Sequence, residues 1–137
     1  MRYLARREHS RAELARKLAP YAESAELLED TLRELERSKL LSNERFAEAR
    51  ARWMSRKYGA ARIRHDLKSK GVSDDIVSGV SGAHELERAL DILKRKYHEQ
   101  VSSRQEYARR ARFLQSRGFS HDTIRSALSS STNFSEE

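Results

Sequence analysis

The heptapeptide LKSKGVS at residues 67–73 returns as LQSRGFS at residues 114–120, with the leucine, both serines and the glycine at matching places. Leu67 follows Leu18 by 49 residues and precedes Leu114 by 47 residues. This spacing is the length of a unit of three helices and lies in the range in which tandem helical repeats occur. The sequence therefore predicts an all-α fold of three tandem three-helix repeats.

The predicted repeats occupy residues 1–40, 42–81 and 83–131, and a disordered tail follows at residues 132–137. The small residues SGVSGA at 78–83 are interpreted as the joint between the second and third repeats. One such repeat cannot bury its apolar stripe alone, so neighbouring repeats must pack together. We therefore expect an elongated and curved molecule.

Apolar residues recur at helical spacing along the chain, and no stretch alternates as a strand does. The pattern places Phe46 and Trp53 on the inward face of one helix. It places Leu86, Leu90 and Leu93 on the inward face of another. These assignments predict which side chains form the core.

Serines mark the predicted helix starts. Ser10 with Glu13, and Ser103 with Glu106, have the spacing of a capping box, in which a hydroxyl and a carboxylate bind free backbone amides. A serine also follows each of the three aligned leucines by six residues, and these serines are predicted N-caps: Ser24, Ser73 and Ser120.

The helix that begins after Ser42 is predicted to reach Tyr58. Glycines follow helices that have Lys or Arg in the last turn, which is the usual signal of a helix C-terminus. Those glycines are Gly59, Gly71 and Gly118.

Positive charge is concentrated in two blocks. Residues 45–70 hold nine Lys or Arg against two Asp or Glu, and residues 88–125 hold ten against four, whereas the whole chain has a net charge of +7. Blocks of this kind usually face nucleic acid or an acidic protein surface. The alternative is a solvated helix face without a partner.

Several classes of protein are disfavoured. The chain has no cysteine and therefore no disulfide or thiolate metal ligand. No apolar run reaches about 20 residues, the length of a membrane helix, and no signal-peptide pattern is present, so we expect a cytoplasmic protein. The five histidines lack metal-binding spacing and are interpreted as exposed. Without a catalytic motif, the sequence predicts a non-enzyme that uses no cofactor or metal.

Basic side chains outside the apolar stripes are the candidate binding residues. Arginine predominates among them, and its planar fork suits both carboxylate and phosphate. The candidates are Arg45, Arg52, Arg56, Lys57, Arg62, Arg64, Lys68, Lys70, Arg104, Arg109, Arg112 and Arg117.

A helix-turn-helix is the natural interpretation of DLKSKGVSDDI at residues 66–76. Its second helix would begin with Asp74 and Asp75 and carries no Arg, Lys, Asn or Gln for base edges. Sequence-specific DNA recognition by this helix is therefore disfavoured, while non-specific phosphate contact stays open.

Four stretches in this order resemble the RecX family: ARREHSRAELARKL at 5–18, LLSNERFAEA at 40–49, GAARIRHDLKSKGVS at 59–73 and FLQSRGFSHDTI at 113–124. The likeness extends from Arg2 to Leu128 and keeps the order and spacing of the blocks. The longer N-terminal extension of family members is nearly missing in this sequence.

The resemblance implies a non-enzymatic protein of three tandem three-helix repeats that regulates the recombinase RecA. Family members bind in the groove of the RecA filament on single-stranded DNA, limit its extension and reduce strand exchange and co-protease activity, in DNA repair, homologous recombination and the SOS response. We therefore expect a monomer whose partner is this filament. Two alternatives stay open: a non-specific nucleic-acid-binding module, and a helical scaffold without a nucleoprotein partner.

Overall fold

The computed structural model describes residues 2–131, and within this range the chain is helical and has no strand element. The described part contains one 3₁₀ turn at Ala19–Tyr21 and nine α-helices: α1 Arg2–Arg6, α2 Arg11–Leu18, α3 Ala25–Arg37, α4 Asn43–Met54, α5 Ala60–Ser69, α6 Asp74–Val77, α7 Glu85–Lys96, α8 Arg104–Ser116 and α9 His121–Ser131. Taken in threes they form successive three-helix segments, which confirms the predicted all-α repeat fold. The predicted tail, residues 132–137, lies outside the described residues.

The helix-start signals behave differently at α2 and α8. The Ser10 hydroxyl accepts from the Glu13 amide at 3.1 Å, and the Glu13 carboxylate accepts from the Ser10 amide at 3.1 Å, so this capping box is confirmed. Ser103 accepts from the Glu106 amide at 3.0 Å, but the Glu106 carboxylate turns to Arg110 at 3.0 Å. The second half of this capping box is wrong, because Arg110 and Arg109 bind one oxygen each of the Glu106 carboxylate.

The repeated serines cap two of their three helices. Ser24 accepts from the Leu27 amide at 3.1 Å, and Ser120 accepts from the Thr123 amide at 3.2 Å. Ser73 has the extended backbone of an N-cap, but its side chain makes no capping hydrogen bond. The helix that follows it, α6, is a single turn of four residues whose first two are aspartates, so negative charge already compensates its amides.

Two of the three predicted glycine stops are confirmed. Gly71 and Gly118 have φ values of +81° and +90°, which L-amino acids rarely adopt. Gly59 does not have positive φ, and its role differs from the prediction. A Cβ at Gly59 would lie 2.4 Å from the Gly118 carbonyl oxygen, and the Gly59 amide donates to the Arg117 carbonyl at 2.7 Å. Glycine is therefore needed there for close backbone approach.

Helix α4 ends at Met54 instead of the predicted Tyr58. The amides of Lys57 and Tyr58 both bond to the Met54 carbonyl, at 3.0 and 2.9 Å, and close a turn there. The predicted inward face is also partly wrong. Phe46 is 3% exposed, but Trp53 is 62% exposed because the adjacent Met54, at 4%, takes the buried position.

The helices pack into two compact units. The first unit contains the residues up to Trp53 together with Arg64–Gly79, and the second contains Met54–Ile63 together with the residues from Val80 onward. The division falls within α5. The repeat boundaries drawn from the sequence therefore stay a prediction. The packing of the helices divides the chain at a different place, within α5.

The first unit has a leucine core. Leu14 of α2 meets Leu32 and Leu35 of α3 and the following Leu41, and all four are buried. Leu28 packs against this cluster from one turn earlier on α3. Leu28, Leu32 and Leu35 stand at i, i+4 and i+7, so one face of α3 lies toward the core, as this helical spacing requires.

Helix α2 is also attached to the end of α5 within the first unit. The Ser10 hydroxyl donates to the Lys70 carbonyl at 2.8 Å. A Cβ at Gly71 would lie 2.6 Å from the Ala12 Cβ. The close approach and the positive φ together explain why glycine follows Lys70.

The prediction that the histidines are exposed is wrong at His9, which is 1% exposed. Its Nδ1 lies 3.1 Å from the Arg7 carbonyl, and its Nε2 lies 2.8 Å from the Lys17 ammonium. Because an ammonium only donates, Nε2 accepts and Nδ1 carries the proton of a neutral ring. Burial lowers the pKa of His9 below its ordinary value of 6.5. Its place beside the buried N-cap of α2 brings the ring into the core.

The second unit has a larger core, contributed chiefly by α7, α8 and α9. The buried cluster consists of Ala89, Ile92, Leu93, Val101, Leu114, Phe119, Ile124, Ala127 and Leu128. Leu90, Tyr97 and Phe113 pack against its margin. Tyr97 and Phe113 meet edge to face, with ring centroids 6.1 Å apart.

The predicted inward face of α7 is wrong at its first residue. Leu86 is 40% exposed, whereas Glu85 is 9% exposed. The two carboxylate oxygens of Glu85 accept from the Ala60 amide and from the Thr123 hydroxyl, each at 2.9 Å. Glu85 therefore turns inward because it caps the first turn of α5 and binds α9, and Leu86 is rotated outward.

Arg110 occupies the position that holds leucine or isoleucine in the first two repeats, and it is 5% exposed. Its Nε donates to the Glu106 carboxylate at 3.0 Å, and its Nη2 donates to the Glu99 carbonyl at 2.9 Å. Its guanidinium lies 4.3 Å from the ring centroid of Tyr97. The buried charge is thus paired, hydrogen-bonded and stacked.

Candidate anion-binding surface

The predicted binding residues divide between the two units. In the first unit are Arg45, Arg52, Arg64, Lys68 and Lys70. In the second unit are Arg56, Lys57, Arg62, Arg104, Arg109, Arg112 and Arg117. Their contacts separate cations with an internal carboxylate partner from cations that lack one.

Two predicted cations of the first unit form ion pairs within that unit. Arg45 donates to Glu8 at 2.9 Å, and Lys70 donates to Asp66 at 2.9 Å. Asp66 also accepts from Arg50 at 2.9 Å. Partial burial alone would raise the pKa of Asp66, but the bonds from Arg50 and Lys70 outweigh burial and lower it. Arg45 and Lys70 are therefore partly neutralised.

The first unit offers a weaker surface pair at Lys68. Its ammonium lies 3.5 Å from Asp74, and both side chains are exposed. Such pairs contribute about 0–1 kcal/mol and open easily. The helix that begins with Asp74 has the sequence DDIV and ends at Val77, so it carries no Arg, Lys, Asn or Gln for reading a base edge.

In the second unit, five cations surround one cavity of about 210 Å³ that has Ile92 and Phe113 in its wall. We call it the Phe113 cavity. The turn after α4, the last turn of α7 and the end of α8 each contribute basic residues. They are Arg56, Lys57, Arg95, Lys96 and Arg117.

Three cations of the Phe113 cavity, Arg95, Lys96 and Arg117, have neutral contact partners. Arg95 donates to the Arg56 carbonyl at 2.8 Å. The Lys96 ammonium lies 3.9 Å from the Phe113 ring centroid, and the Arg117 guanidinium lies 5.0 Å from it. Contacts between a cation and an aromatic ring fix the charge without cancelling it.

The positive charge of the cavity is largely uncompensated. Among residues 2–131, Arg95 has a carboxylate partner, Asp91 at 3.3 Å. The other four cavity cations have no carboxylate within 4.0 Å in that range. Several cations that converge on one concavity form a site of strongly positive potential.

Tyr58 extends this surface. The guanidiniums of Arg62 and Arg117 lie 4.7 and 5.4 Å from its ring centroid. Arg62 also donates to the Ser116 carbonyl at 2.9 Å. Arg62, Tyr58, Arg117, Phe113 and Lys96 therefore form a row in which cations alternate with aromatic rings.

A second cavity of about 470 Å³ adjoins the first and shares Arg56 and Arg95 with it. Ser55, Arg88 and Asp91 complete its lining. The carboxylate of Asp91 lowers the positive potential of this cavity. The Phe113 cavity therefore has the larger excess of positive charge in its lining.

The structure brings Arg56, Lys57 and Arg117 together at the cavity, with Arg62 next to them. The other candidates of the second unit, Arg104, Arg109 and Arg112, do not line it. Sequence reasoning missed Arg95 and Lys96. The basic run KRK at 94–96, just before an aromatic residue, is the signal that points to them.

In the described range, no helix is long and apolar enough to cross a membrane. The fold and the site together define a class: tandem three-helix segments that present a cationic cavity.

Comparisons with known proteins give the family. The family model described as "RecX, second three-helix domain" matches residues 42–80, and "RecX, third three-helix domain" matches residues 83–128. "Regulatory protein RecX" of Herbaspirillum seropedicae is 42% identical over 131 residues, which cover 93% of this chain and 85% of that protein. "Regulatory protein RecX" of Neisseria gonorrhoeae is 38% identical over 130 residues, with the same two coverages of 93% and 85%.

A solved structure agrees at the level of the fold. The crystal structure of RecX from Lactobacillus salivarius superposes with a TM-score of 0.79 at 21% identity, over 94% of this chain and 89% of that one. The chain belongs to the RecX family, which confirms the resemblance seen in the four sequence stretches.

Proposed function

We propose that this protein is a non-enzymatic regulator of RecA that binds in the groove of the RecA filament on single-stranded DNA. It limits filament extension and so reduces strand exchange and co-protease activity, in cytoplasmic DNA repair, recombination and the SOS response. The observation that carries the regulatory part is the similarity, over 93% of the chain, to relatives named regulatory protein RecX.

The uncompensated cations of the second unit support the mode of binding. A filament of protein on single-stranded DNA presents phosphates, and Arg and Lys contacts to phosphate release counterions. Arg56, Lys57 and Arg117 have no internal carboxylate partner in the described part of the chain, so binding an anion breaks no internal ion pair. Arg62 lies beside them. We therefore assign these four residues the main part of filament binding.

The remaining candidates contribute less in this proposal. Arg45, Lys70 and Arg109 each lie within 3.1 Å of a carboxylate of the same unit. Lys68, Arg52, Arg64, Arg104 and Arg112 complete the proposed contact set. Long-range attraction by these charges speeds encounter with an anionic partner more than it strengthens the bound complex.

The test is the rate of RecA ATP hydrolysis on single-stranded DNA, together with filament length by electron microscopy. We expect sub-stoichiometric protein to slow hydrolysis and to shorten filaments. Unchanged rates and unchanged lengths at saturating protein would contradict the proposal.

A second candidate function is direct, sequence-non-specific binding to nucleic acid. The observation that favours it is the +7 block at residues 45–70. Salt distinguishes the two functions poorly, since both weaken as ionic strength rises. Binding to naked single-stranded DNA and to RecA-coated DNA should instead be compared at one salt concentration. Tighter binding to naked DNA would favour the second function.

A further inference from the structure

We propose that the Phe113 cavity is a binding site for a compact polyphosphate anion, such as pyrophosphate or the phosphate chain of a nucleoside triphosphate. This inference goes beyond the proposed function, because it concerns a small ligand and is tested without RecA.

The charge of the cavity sets the class of ligand. Five cations line it, and no carboxylate does. A single carboxylate or phosphodiester carries one negative charge and would leave most of this excess in place. A terminal phosphate carries about two negative charges at neutral pH, and linked phosphates bring several charges into one small volume. Adjacent phosphate groups therefore match the cavity better.

The geometry of the donors supports the same class of ligand. Lys96 and Arg117 lie on Phe113 at 3.9 and 5.0 Å, and Arg95 is bonded to the Arg56 carbonyl at 2.8 Å. The Gly59 amide also holds the backbone of Arg117 at 2.7 Å. These contacts restrain Arg95, Lys96 and Arg117 before a ligand arrives, which lowers the entropy cost of binding.

The surroundings of Phe113 argue against stacking of a nucleobase. Lys96 and Arg117 already lie over the ring, and Tyr97 meets it at 81°. Single-stranded nucleic acid is usually held by bases stacked on aromatic faces together with phosphate contacts. Because Phe113 supports cations instead, the phosphate groups supply the binding energy.

The cavity volume of about 210 Å³ is small. The larger neighbouring cavity contains Asp91, whose carboxylate repels an anion. The boundary between the two cavities is formed by Arg56 and Arg95, which line both. Because no carboxylate lines it, the Phe113 cavity is the better match for a compact polyphosphate.

Isothermal titration calorimetry tests the proposal with the full chain at constant ionic strength and without divalent cations. The probes are sodium tripolyphosphate, pyrophosphate and sulfate. We expect saturable binding at one site, tightest for tripolyphosphate and weakest for sulfate. Non-saturable heats, or equal affinity for sulfate and tripolyphosphate, would overturn the proposal.

The matched variants are Lys96→Gln, Arg117→Gln and the control Arg125→Gln, which removes an exposed cation of α9 outside the cavity. Each cavity variant should weaken tripolyphosphate binding about tenfold, while the control binds as the wild type does. Circular dichroism verifies that each variant is folded. If tripolyphosphate binding is weakened equally in all three variants, the effect is due to net charge alone. That outcome would overturn the assignment of the site to the Phe113 cavity.

A third measurement separates the sources of phosphate. A short oligothymidylate competes with tripolyphosphate in the same titration, and we expect it to be the weaker ligand. If the oligonucleotide binds more tightly than tripolyphosphate and its binding depends on Lys96, the ligand of the cavity is a phosphodiester strand. That outcome would overturn the proposal. RecA ATP hydrolysis, measured separately, tests the proposed function alone, so either proposal can fail without the other.

Discussion

Leu67, the first residue of the repeated heptapeptide, has no exposed surface. Truncation of a fully buried leucine removes its transfer free energy and leaves a cavity. We therefore expect Leu67→Ala to lower the free energy of unfolding by about 2–5 kcal/mol, measured by urea denaturation.

Leu40→Ala is the control for this prediction, because Leu40 is 55% exposed. Its free energy of unfolding should change by about 0.5 kcal/mol or less. Equal stability of Leu67→Ala and Leu40→Ala would contradict the buried position of Leu67.

Gly118 combines a positive φ of +90° with a close approach to another segment of its unit. A Cβ there would lie 2.4 Å from the Arg62 Cβ and 2.6 Å from the Arg62 amide nitrogen. Gly118→Ala should therefore cost about 1–3 kcal/mol from backbone conformation alone, and more from the clash. Thermal unfolding with calorimetric enthalpy measures this loss.

The matched control is Gly82→Ala, since no atom lies within 4 Å of a Cβ built at Gly82. Its stability should stay within about 1 kcal/mol of the wild type. A Gly118→Ala protein as stable as Gly82→Ala would show that the turn has room for a side chain.

The glycines also show how much of the fold can be predicted from single residues. The ends of α5 and α8 were predictable, because glycine after a basic last turn is a local signal. The role of Gly59 was not, because its constraint is the Gly118 carbonyl, 59 residues later in the chain. Sequence reveals a helix stop but does not reveal which backbone passes close to it.

At the scale of elements, the joint between α1 and α2 depends on a neutral histidine. Burial lowers the pKa of His9, and its Nε2 accepts from Lys17 at 2.8 Å. Below about pH 6.5, the unfolded chain takes up a proton at this histidine that the folded chain refuses. Unfolding is then favoured, so stability should fall as pH falls through this range and level off below the folded-state pKa.

Urea denaturation between about pH 7.5 and about pH 5.5 measures this effect. His9→Gln cannot titrate, so its stability should depend less on pH than that of the wild type, whereas His65→Gln, at an exposed position, should behave as the wild type does. The lowered pKa values of Glu13 and Asp66 act in a more acidic range. Parallel pH profiles for the wild type and His9→Gln would contradict the neutral buried ring.

The helices themselves were largely predictable from capping serines and apolar spacing, but their rotation was not. Periodicity placed Leu86 inward on α7. The structure places Glu85 there because its partners, the Ala60 amide and the Thr123 hydroxyl, come from two other helices. A hydropathy pattern cannot predict a buried carboxylate, because the free energy of its burial depends on hydrogen-bond donors that are distant in the sequence.

At the scale of the whole molecule, the two basic blocks predicted an anionic partner. In the structure some of their cations are paired with carboxylates, so fewer positive charges are uncompensated. Arg56 and Lys57 are exposed and lack carboxylate partners in the described residues. Reversal of both, Arg56→Glu with Lys57→Glu, should weaken binding to RecA-coated single-stranded DNA about tenfold or more. The thermal midpoint should change little, since exposed charges contribute little to stability.

Fluorescence anisotropy of labelled RecA-coated DNA measures this affinity. Arg125→Glu is the control for net charge and is compared with the single variant Arg56→Glu, which changes the charge equally. The salt dependence of binding should be shallower in the double variant. Normal affinity of the double variant, or the same loss in Arg125→Glu, would mean that the binding surface lies elsewhere on the molecule.

The candidate site was only half predictable. Arg56, Lys57 and Arg117 were identified as outward cations, but Arg95 and Lys96 were not, since only the packing of α7 and α8 on α9 brings them to Phe113. The sequence shows only how many charges lie close together along the chain. A binding site forms where cations from separate helices meet in space and no carboxylate lies among them.

The buried Arg110 makes the three repeats non-interchangeable parts. Where the first two repeats carry an aliphatic side chain, the third carries a cation that needs Glu106, the Glu99 carbonyl and the Tyr97 ring. A duplicate of α8 placed in another repeat would bring Glu106 along but leave the loop and ring behind, and a buried charge without its partners is strongly destabilising. The third segment therefore depends on core partners of its own, and it also supplies three of the five cations of the Phe113 cavity, Arg95, Lys96 and Arg117.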